Sequence, residues 1–310
     1  MQSLTHILHS CYDSEMNFRF KALIQTLFGL FPNSESLNYF AQKHITKNLP
    51  LSKEAFDAKY NQAISHHEVF LKYGETKNAV IYEIGCGWHL ATALSLCSFG
   101  CYEKIIALDI VNHVRKELVD ININHLETRQ GDGSSVTSAQ GDGSSVLKEW
   151  DEIIDISAPC DARKTGLPDE SIDFIYSQEV FEHISPALLP DIMAESYRIL
   201  KPGGIVSLAI HYNDHYCSID KNISPYNFLR YSEKQWKKYN PQLHYVNRLR
   251  HSDFIRIFKS AGFKILEEHP SRPGNWEEQI KNFPFAKEFT DKYTQDELSI
   301  LSANIVLQKT

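Results

Sequence analysis

One short segment constrains this chain more than any other. Ala79-Val-Ile-Tyr-Glu-Ile84 is followed at once by Gly85-Cys-Gly87. A run so apolar, with no clean polar alternation, reads as a strand buried on both faces. Parallel sheets covered by helices on both sides bury strands in this way. The glycines let the backbone turn sharply and approach a ligand closely. Helical spacing follows from Leu90 to Phe99, and Gly100 can stop it. A second strand, Ile105–Leu108, ends in Asp109, twenty-two residues beyond Gly87. Strand, glycine turn, helix, and a carboxylate closing the neighbouring strand form a nucleoside-binding pattern. The helix start offers free N–H groups, and the carboxylate can accept both ribose hydroxyls.

The rest of the chain continues this alternation. Strand-like runs recur at Ile153–Ile156, Ile172–Ser177, Ile205–Ile210, Lys264–Leu266 and Asn304–Leu307. Helical intervals link Val111, Val114, Leu118 and Ile121. Ser185-Pro186 can open a helix that Gly203-Gly204 closes, although Pro190 favours a later start. Ser252–Ala261 is amphipathic and stops at Gly262. The expected fold class is α/β: a Rossmann-like, mostly parallel sheet with helices on both faces. Residues 1–76 read differently, as helices without strands, and form an expected helical cap ahead of a main domain at 77–310. Residues 212–250 are an expected insertion after the fifth strand.

Composition narrows the function classes. Of 310 residues, 32 are Lys or Arg and 39 Asp or Glu, a net charge of −7, so nucleic acid is not an expected partner. The best apolar stretch, Ala22–Phe31, is too short to span a membrane and contains Gln25 and Thr26. Met1-Gln-Ser-Leu-Thr-His6 has neither the charge nor the apolar run of a secretory leader, so a cytoplasmic location is expected. The six cysteines include no C-x-x-C pair and read as reduced thiols. Gln130–Val136 recurs letter for letter at Gln140–Val146, a tandem duplication expected to form a polar surface loop.

The ligand class follows from two residues. A dinucleotide fingerprint needs a third glycine at position 90, where this chain has Leu90. Glu83, just before the turn, suits a ligand with a positive end. S-adenosylmethionine carries an ammonium and a sulfonium and no phosphate. Further motifs follow in order: Asp161-Ala162, Leu167-Pro-Asp-Glu-Ser-Ile-Asp-Phe-Ile-Tyr-Ser177, Glu179-Val-Phe-Glu-His183 and Arg198-Ile-Leu-Lys-Pro-Gly-Gly204. With them the chain resembles the class I S-adenosylmethionine-dependent methyltransferases over about residues 79–211. The stretches His211–His215, Ser224–Tyr231 and Asn247–Arg250 look like a bacterial subgroup of the type 11 kind. The resemblance implies seven strands with the last antiparallel, and S-adenosyl-L-methionine as cofactor. It implies that Glu83, Gly85, Gly87 and Trp88 surround the methionine end. Asp109 would hold the ribose and Ile110 would pack on adenine. Asp161 would accept from the adenine amino group beside Ala162, and Ser177 and Gln178 would line the methyl-transfer face. Trp88-His89 stands where the common family form has a small residue.

Methyl transfer from a sulfonium needs chiefly a positioned, desolvated acceptor. A hydroxyl acceptor also gains from a base. His183, His211 and His215 fall at or beyond strand ends, with Asp214 placed to orient an imidazole. His211, Asp214 and His215 also resemble a metal set, but no second ligand cluster accompanies them and no metal is expected. The expected reaction is O-methylation of a small-molecule or carrier-bound acceptor. N- or C-methylation, a nicotinamide-dependent oxidoreductase and a catalytically silent cofactor binder are the alternatives. Basic and aromatic residues interleave from Arg230 to Lys264, compatible with a solvated face, an RNA surface or an anionic handle.

Overall fold

The apolar run becomes a central strand. In a computed structural model, β1 (Ala79–Ile84) lies between β2 (Tyr102–Leu108) and β4 (Ile172–Gln178), parallel to both. The structure describes residues 17–29, 31, 34–44, 48–74, 78–131 and 150–310. β3 (Ile154–Ser157) flanks β2, and β5 (Leu200–His211) flanks β4. β6 (Phe263–Ser271) forms the far edge, and β7 (Ser302–Lys309) runs antiparallel between β5 and β6. The order β3-β2-β1-β4-β5-β7-β6 is the seven-stranded sheet of the class I methyltransferase fold, with the antiparallel last strand where it was expected.

Among the described residues, seven helices of seven residues or more accompany the sheet: α1 (Phe18–Gly29), α2 (Ser34–His44), α3 (Lys53–Tyr73), α4 (Ala91–Cys97), α5 (Lys116–Gly131), α6 (Leu189–Ile199) and α7 (His251–Ser260). Ser52 caps α3 by accepting from the Ala55 N–H at 3.2 Å. Phe56, Tyr60, Ala63 and Phe70 then fall on one face and pack with α4 against β1, β2 and β4. On the opposite face Leu189, Ile192 and Met193 of α6 join Phe254 and Phe258 of α7. Two apolar layers thus clamp the sheet and leave its carboxyl edge to the loops.

A third cluster joins the two extra parts of the chain. Phe18 and Ala22 of α1 pack against Tyr216, Phe228, Leu229, Trp236 and Val246, all between β5 and α7. The Phe18 N–H donates to the buried Asp220 carboxylate at 3.0 Å. α1 and the 212–250 segment therefore share one core.

Three expectations change. α6 starts at Leu189 rather than Ser185, with Pro190 in its first turn, where a missing N–H costs nothing. It ends at Ile199 because Leu200 is already paired with Ile172 in β5, so the glycines lie inside the strand's start. Residues 111–115 stay non-helical, tethered by Asp109, and α5 begins only at Lys116. The duplicated segment lies outside the described residues except for Gln130 and Gly131 at the end of α5. No helix among the described residues is long and apolar enough to cross a membrane.

Candidate active site at the strand ends

The carboxyl ends of β1, β2 and β4 open into a crevice of about 770 Å³. The glycine turn forms its floor. Gly85 and Cys86 both donate N–H groups to the Leu108 carbonyl, at 2.9 and 3.0 Å. Gly85 has φ +85°, and a Cβ there would meet the Val180 side chain at 2.5 Å, so only glycine fits. Gly87 also has positive φ, but open space surrounds it, which leaves its backbone accessible. Leu90 takes the left-handed φ of +51° and is fully buried, so core packing holds the conformation a third glycine would take without strain.

Asp109 is tied in place at the end of β2. One carboxylate oxygen accepts from the Gly87 N–H at 3.0 Å and the other from the Val111 N–H at 3.2 Å. Each keeps a lone pair for the crevice. Ile110 beside it is 64% exposed, an apolar surface facing the open crevice. Glu83 is 3% exposed, and its Oε2 has no hydrogen-bond partner among the described residues. Burial pushes its carboxyl up to about 8; Tyr176 lowers it, Asp109 adds to the rise, and Lys59 lowers it again. An orphaned buried carboxyl, an exposed apolar rim and a tethered carboxylate match the ammonium, adenine and ribose of S-adenosylmethionine. The residues present fit that nucleoside.

Trp88 lines the crevice and stacks between two rings, Tyr39 of α2 at 5.3 Å and His113 at 4.2 Å between centroids. The position that departs from the common family form is therefore a rigid aromatic wall. Asp161 and Ala162 line the opposite side. The Asp161 carboxylate is gripped by Arg163, whose Nη2 lies 2.6 Å away, and that guanidinium holds it ionised below its usual range. Arg163 was not anticipated from the sequence.

Two expected residues lie elsewhere. Ser177 is buried under the crevice, donating its hydroxyl to the Ile84 carbonyl at 2.8 Å, and is not among the crevice's lining residues. Asp214 orients no imidazole. It is buried, caps a short helical turn through the Tyr216 N–H at 2.9 Å, and accepts from the Asn227 amide at 2.8 Å.

The carboxylates that face the histidines come instead from the Glu179–His183 segment. Glu179 follows β4 at φ +58°, a conformation rare outside glycine and concentrated at functional sites. It meets Lys59 at 3.0 Å, the Gln62 amide at 2.7 Å, the Gln178 amide at 3.0 Å and His211 Nε2 at 3.6 Å. Burial opposes its charge, but Lys59 and then His211 outweigh that and hold the carboxyl below its ordinary range. Glu182 is buried; its Oε1 lies 3.9 Å from His211 Nδ1 and accepts the His211 N–H at 3.3 Å. Burial pushes its carboxyl up to about 8. The Glu-Val-Phe-Glu-His spacing was visible in the sequence; what it faces was not.

The three histidines converge. The ring of His215 is 4.9 Å from that of His183 and 6.2 Å from that of His211. His183 Nδ1 bonds to the Tyr245 carbonyl at 2.8 Å. Burial, then the neighbouring imidazoles, push His215 down to about 3, which makes it a poor proton acceptor. A second pocket, about 490 Å³ on the α3 side of β5 and β7, shares Gln178 and Glu179 with the crevice.

Three arginines of the basic stretch are engaged, while Lys234, Lys237, Lys238 and Lys259 stay exposed. Arg250 is buried and donates to the Tyr212 carbonyl at 2.8 Å. Arg248 pairs with Glu233 at 2.6 Å and Glu288 at 3.1 Å, and Arg256 with Asp253 at 2.6 Å. The aromatics Phe228, Trp236 and Tyr239 belong to the third core.

Residues 82–208 match the model of the methyltransferase domain family. No curated protein matches the chain. Among solved structures, it is similar to an S-adenosylmethionine-dependent methyltransferase from Methanosarcina mazei, at 17% identity and TM-score 0.45, over 78% of this chain and 96% of that one. It is also similar to phosphoethanolamine N-methyltransferase 2 of Haemonchus contortus, at 17% identity and TM-score 0.47, over 87% of this chain and 59% of that one. The YcgJ protein of Bacillus subtilis gives 19% identity and TM-score 0.42, over 80% and 97%. The match at 82–208 sets the nicotinamide alternative aside. Residues 82–208 are thus a methyltransferase domain, set in the seven-stranded sheet of the class I fold.

Proposed function

We propose that this enzyme methylates a hydroxyl group of a polar small molecule. The observation that carries this reading is His211 at the end of β5. Its imidazole is 39% exposed and lies 3.6 Å from the Glu179 carboxylate, with the Glu182 carboxyl on its other nitrogen at 3.9 Å. A base held beside the Glu179 anion is suited to take a hydroxyl proton, because the imidazolium that forms is stabilised where it stands. A neutral amine acceptor needs no such group.

When bound, S-adenosylmethionine supplies a methyl activated by its sulfonium. The chain's own residues do the rest. Asp109, Ile110 and the Gly85–Gly87 backbone hold the nucleoside, Glu83 meets its ammonium, and Asp161 with Ala162 borders the adenine. The acceptor enters the pocket shared at Gln178 and Glu179, whose walls include His66, His269, Ser302 and Asn304. Those polar walls suit an acceptor with several oxygens. α3 supplies one wall of the acceptor pocket, and Gln242 with Tyr245 of the 212–250 segment borders the nucleoside crevice beside it.

The test is turnover with S-adenosylmethionine on matched hydroxyl, amine and carbon acceptors, read by mass spectrometry for one added methyl. Hydroxyl products are expected. His211→Gln should lower kcat by ~10²–10⁴-fold while S-adenosylhomocysteine affinity stays within a few-fold. Products carrying the methyl only on nitrogen or carbon, or a variant with unchanged kcat, would overturn the reading.

A further inference from the structure

Between the crevice and the acceptor pocket, Glu182, His183 and His215 bring one ligand atom each to within 4.8 Å of one another. The sequence grouped His211, Asp214 and His215 instead; folding removes Asp214 and brings in Glu182 and His183. We propose that these three residues bind a divalent first-row transition ion, with His211 and Glu179 beside it. Its role in the reaction rests on the hydroxyl-transfer reading; its binding does not.

Two independent observations point to a ligand here. The Glu182 side chain is 1% exposed, yet its Oε2 has no hydrogen-bond partner among the described residues. A buried carboxylate oxygen left so is costly unless a cation or donor occupies the site. His183 carries the second. Its Nδ1 faces the Tyr245 carbonyl at 2.8 Å, so that nitrogen holds the proton and Nε2 keeps its lone pair. A carbonyl that fixes the tautomer in this way is the usual outer partner of a metal-bound imidazole. The His215 ring brings a nitrogen to the same point, its ring centroid 4.9 Å from that of His183.

The donor set selects the ion. Two imidazoles and one carboxylate suit manganese, iron, cobalt or zinc better than magnesium or calcium, which prefer oxygen. Bonds of ~2.1 Å bring ligand atoms to roughly 3–4 Å from one another, so small side-chain rotations close the site. Three protein ligands leave positions open for an acceptor oxygen. Coordination there lowers the acceptor hydroxyl's pKa. Its proton passes to His211, the oxygen lone pair forms the new O–CH3 bond, and the C–S bonding pair leaves with sulfur as S-adenosylhomocysteine. The ion does not change oxidation state.

The test uses untagged full-length protein, stripped with a chelator and titrated with Co²⁺ or Mn²⁺ alone by calorimetry and, for Co²⁺, by visible absorption. One ion per chain is expected. Glu182→Gln and His215→Ala should each weaken it by at least about 100-fold, with S-adenosylhomocysteine binding retained as the check on folding. If His215→Ala fails that check, His183→Gln takes its place. Absence of saturable binding, or affinity unmoved by these variants, overturns the site. Neither readout involves an acceptor, so such a failure leaves the hydroxyl reading standing. Ion binding together with methylation only at nitrogen would overturn that reading and spare the site.

Discussion

Replacing Glu83 by Gln should make stability less dependent on pH, and by an amount the structure fixes. The carboxyl is buried and its ionisation is displaced from 4.5 to about 8, mainly by desolvation. In the unfolded chain it ionises near ~4.3. The folded state therefore holds the proton more tightly. Its contribution to stability is full below the unfolded value and declines as pH rises, levelling off above about 8. Glutamine has the same shape and no such slope. Integrating between pH 5.5 and 7.5, the wild type should lose ~2.5 kcal/mol relative to Glu83→Gln. At ~2.1 cal/mol/K of unfolding entropy per residue over 310 residues, that is a relative rise in Tm of ~4 °C for the variant. Thermal melts of both proteins at the two pH values, without cofactor, read it directly. The same variant should bind S-adenosylmethionine at least ~10-fold more weakly, because the ammonium loses its anion. A Tm difference that stays constant with pH, or one that moves the other way, would refute the buried-carboxyl argument.

Other substitutions probe the remaining parts. Asp109→Ala strips the Gly87 and Val111 N–H groups of their acceptor as well as the ribose grip, and should weaken S-adenosylhomocysteine by ~10–100-fold in calorimetry. Gly85→Ala and Gly87→Ala both pay the left-handed backbone penalty of ~1–2 kcal/mol, but only the first drives a Cβ into Val180. Gly85→Ala should melt lower by a further ~1–3 kcal/mol equivalent, and equal melting would count against the tight turn. Arg250→Met leaves the carbonyls of Tyr212, Leu298 and Ile300 without their buried donor and should lower the unfolding free energy from urea titration by ~3 kcal/mol or more.

Local sequence determined much of this protein. The apolar runs, their turn residues and their alternation with helical spacing give the strands of the sheet, because a strand buried on both faces cannot hide its composition. The proposed nucleoside end was legible for the same reason: Glu83, Gly85, Gly87, Asp109 and Ile110 lie within one strand–turn–helix–strand unit, so their spacing in the chain nearly sets their spacing in space. The proposed acceptor end was not legible. Its groups come from α3, the segment after β4, the end of β5 and the 212–250 segment, and only sheet pairing and the third core bring them together. Asp214 stood beside the histidines in sequence but turned inward to cap a helical turn, whereas Glu179 and Glu182, some thirty residues away, turned to face His211. Arg248 and Arg250 of the basic run looked free because their partners are distant in the chain, Glu288 for Arg248 and the Ile300 carbonyl for Arg250. Periodicity reports which face of an element is apolar; it carries no record of which side chains meet across elements, and the chemistry of the acceptor end is made of such meetings.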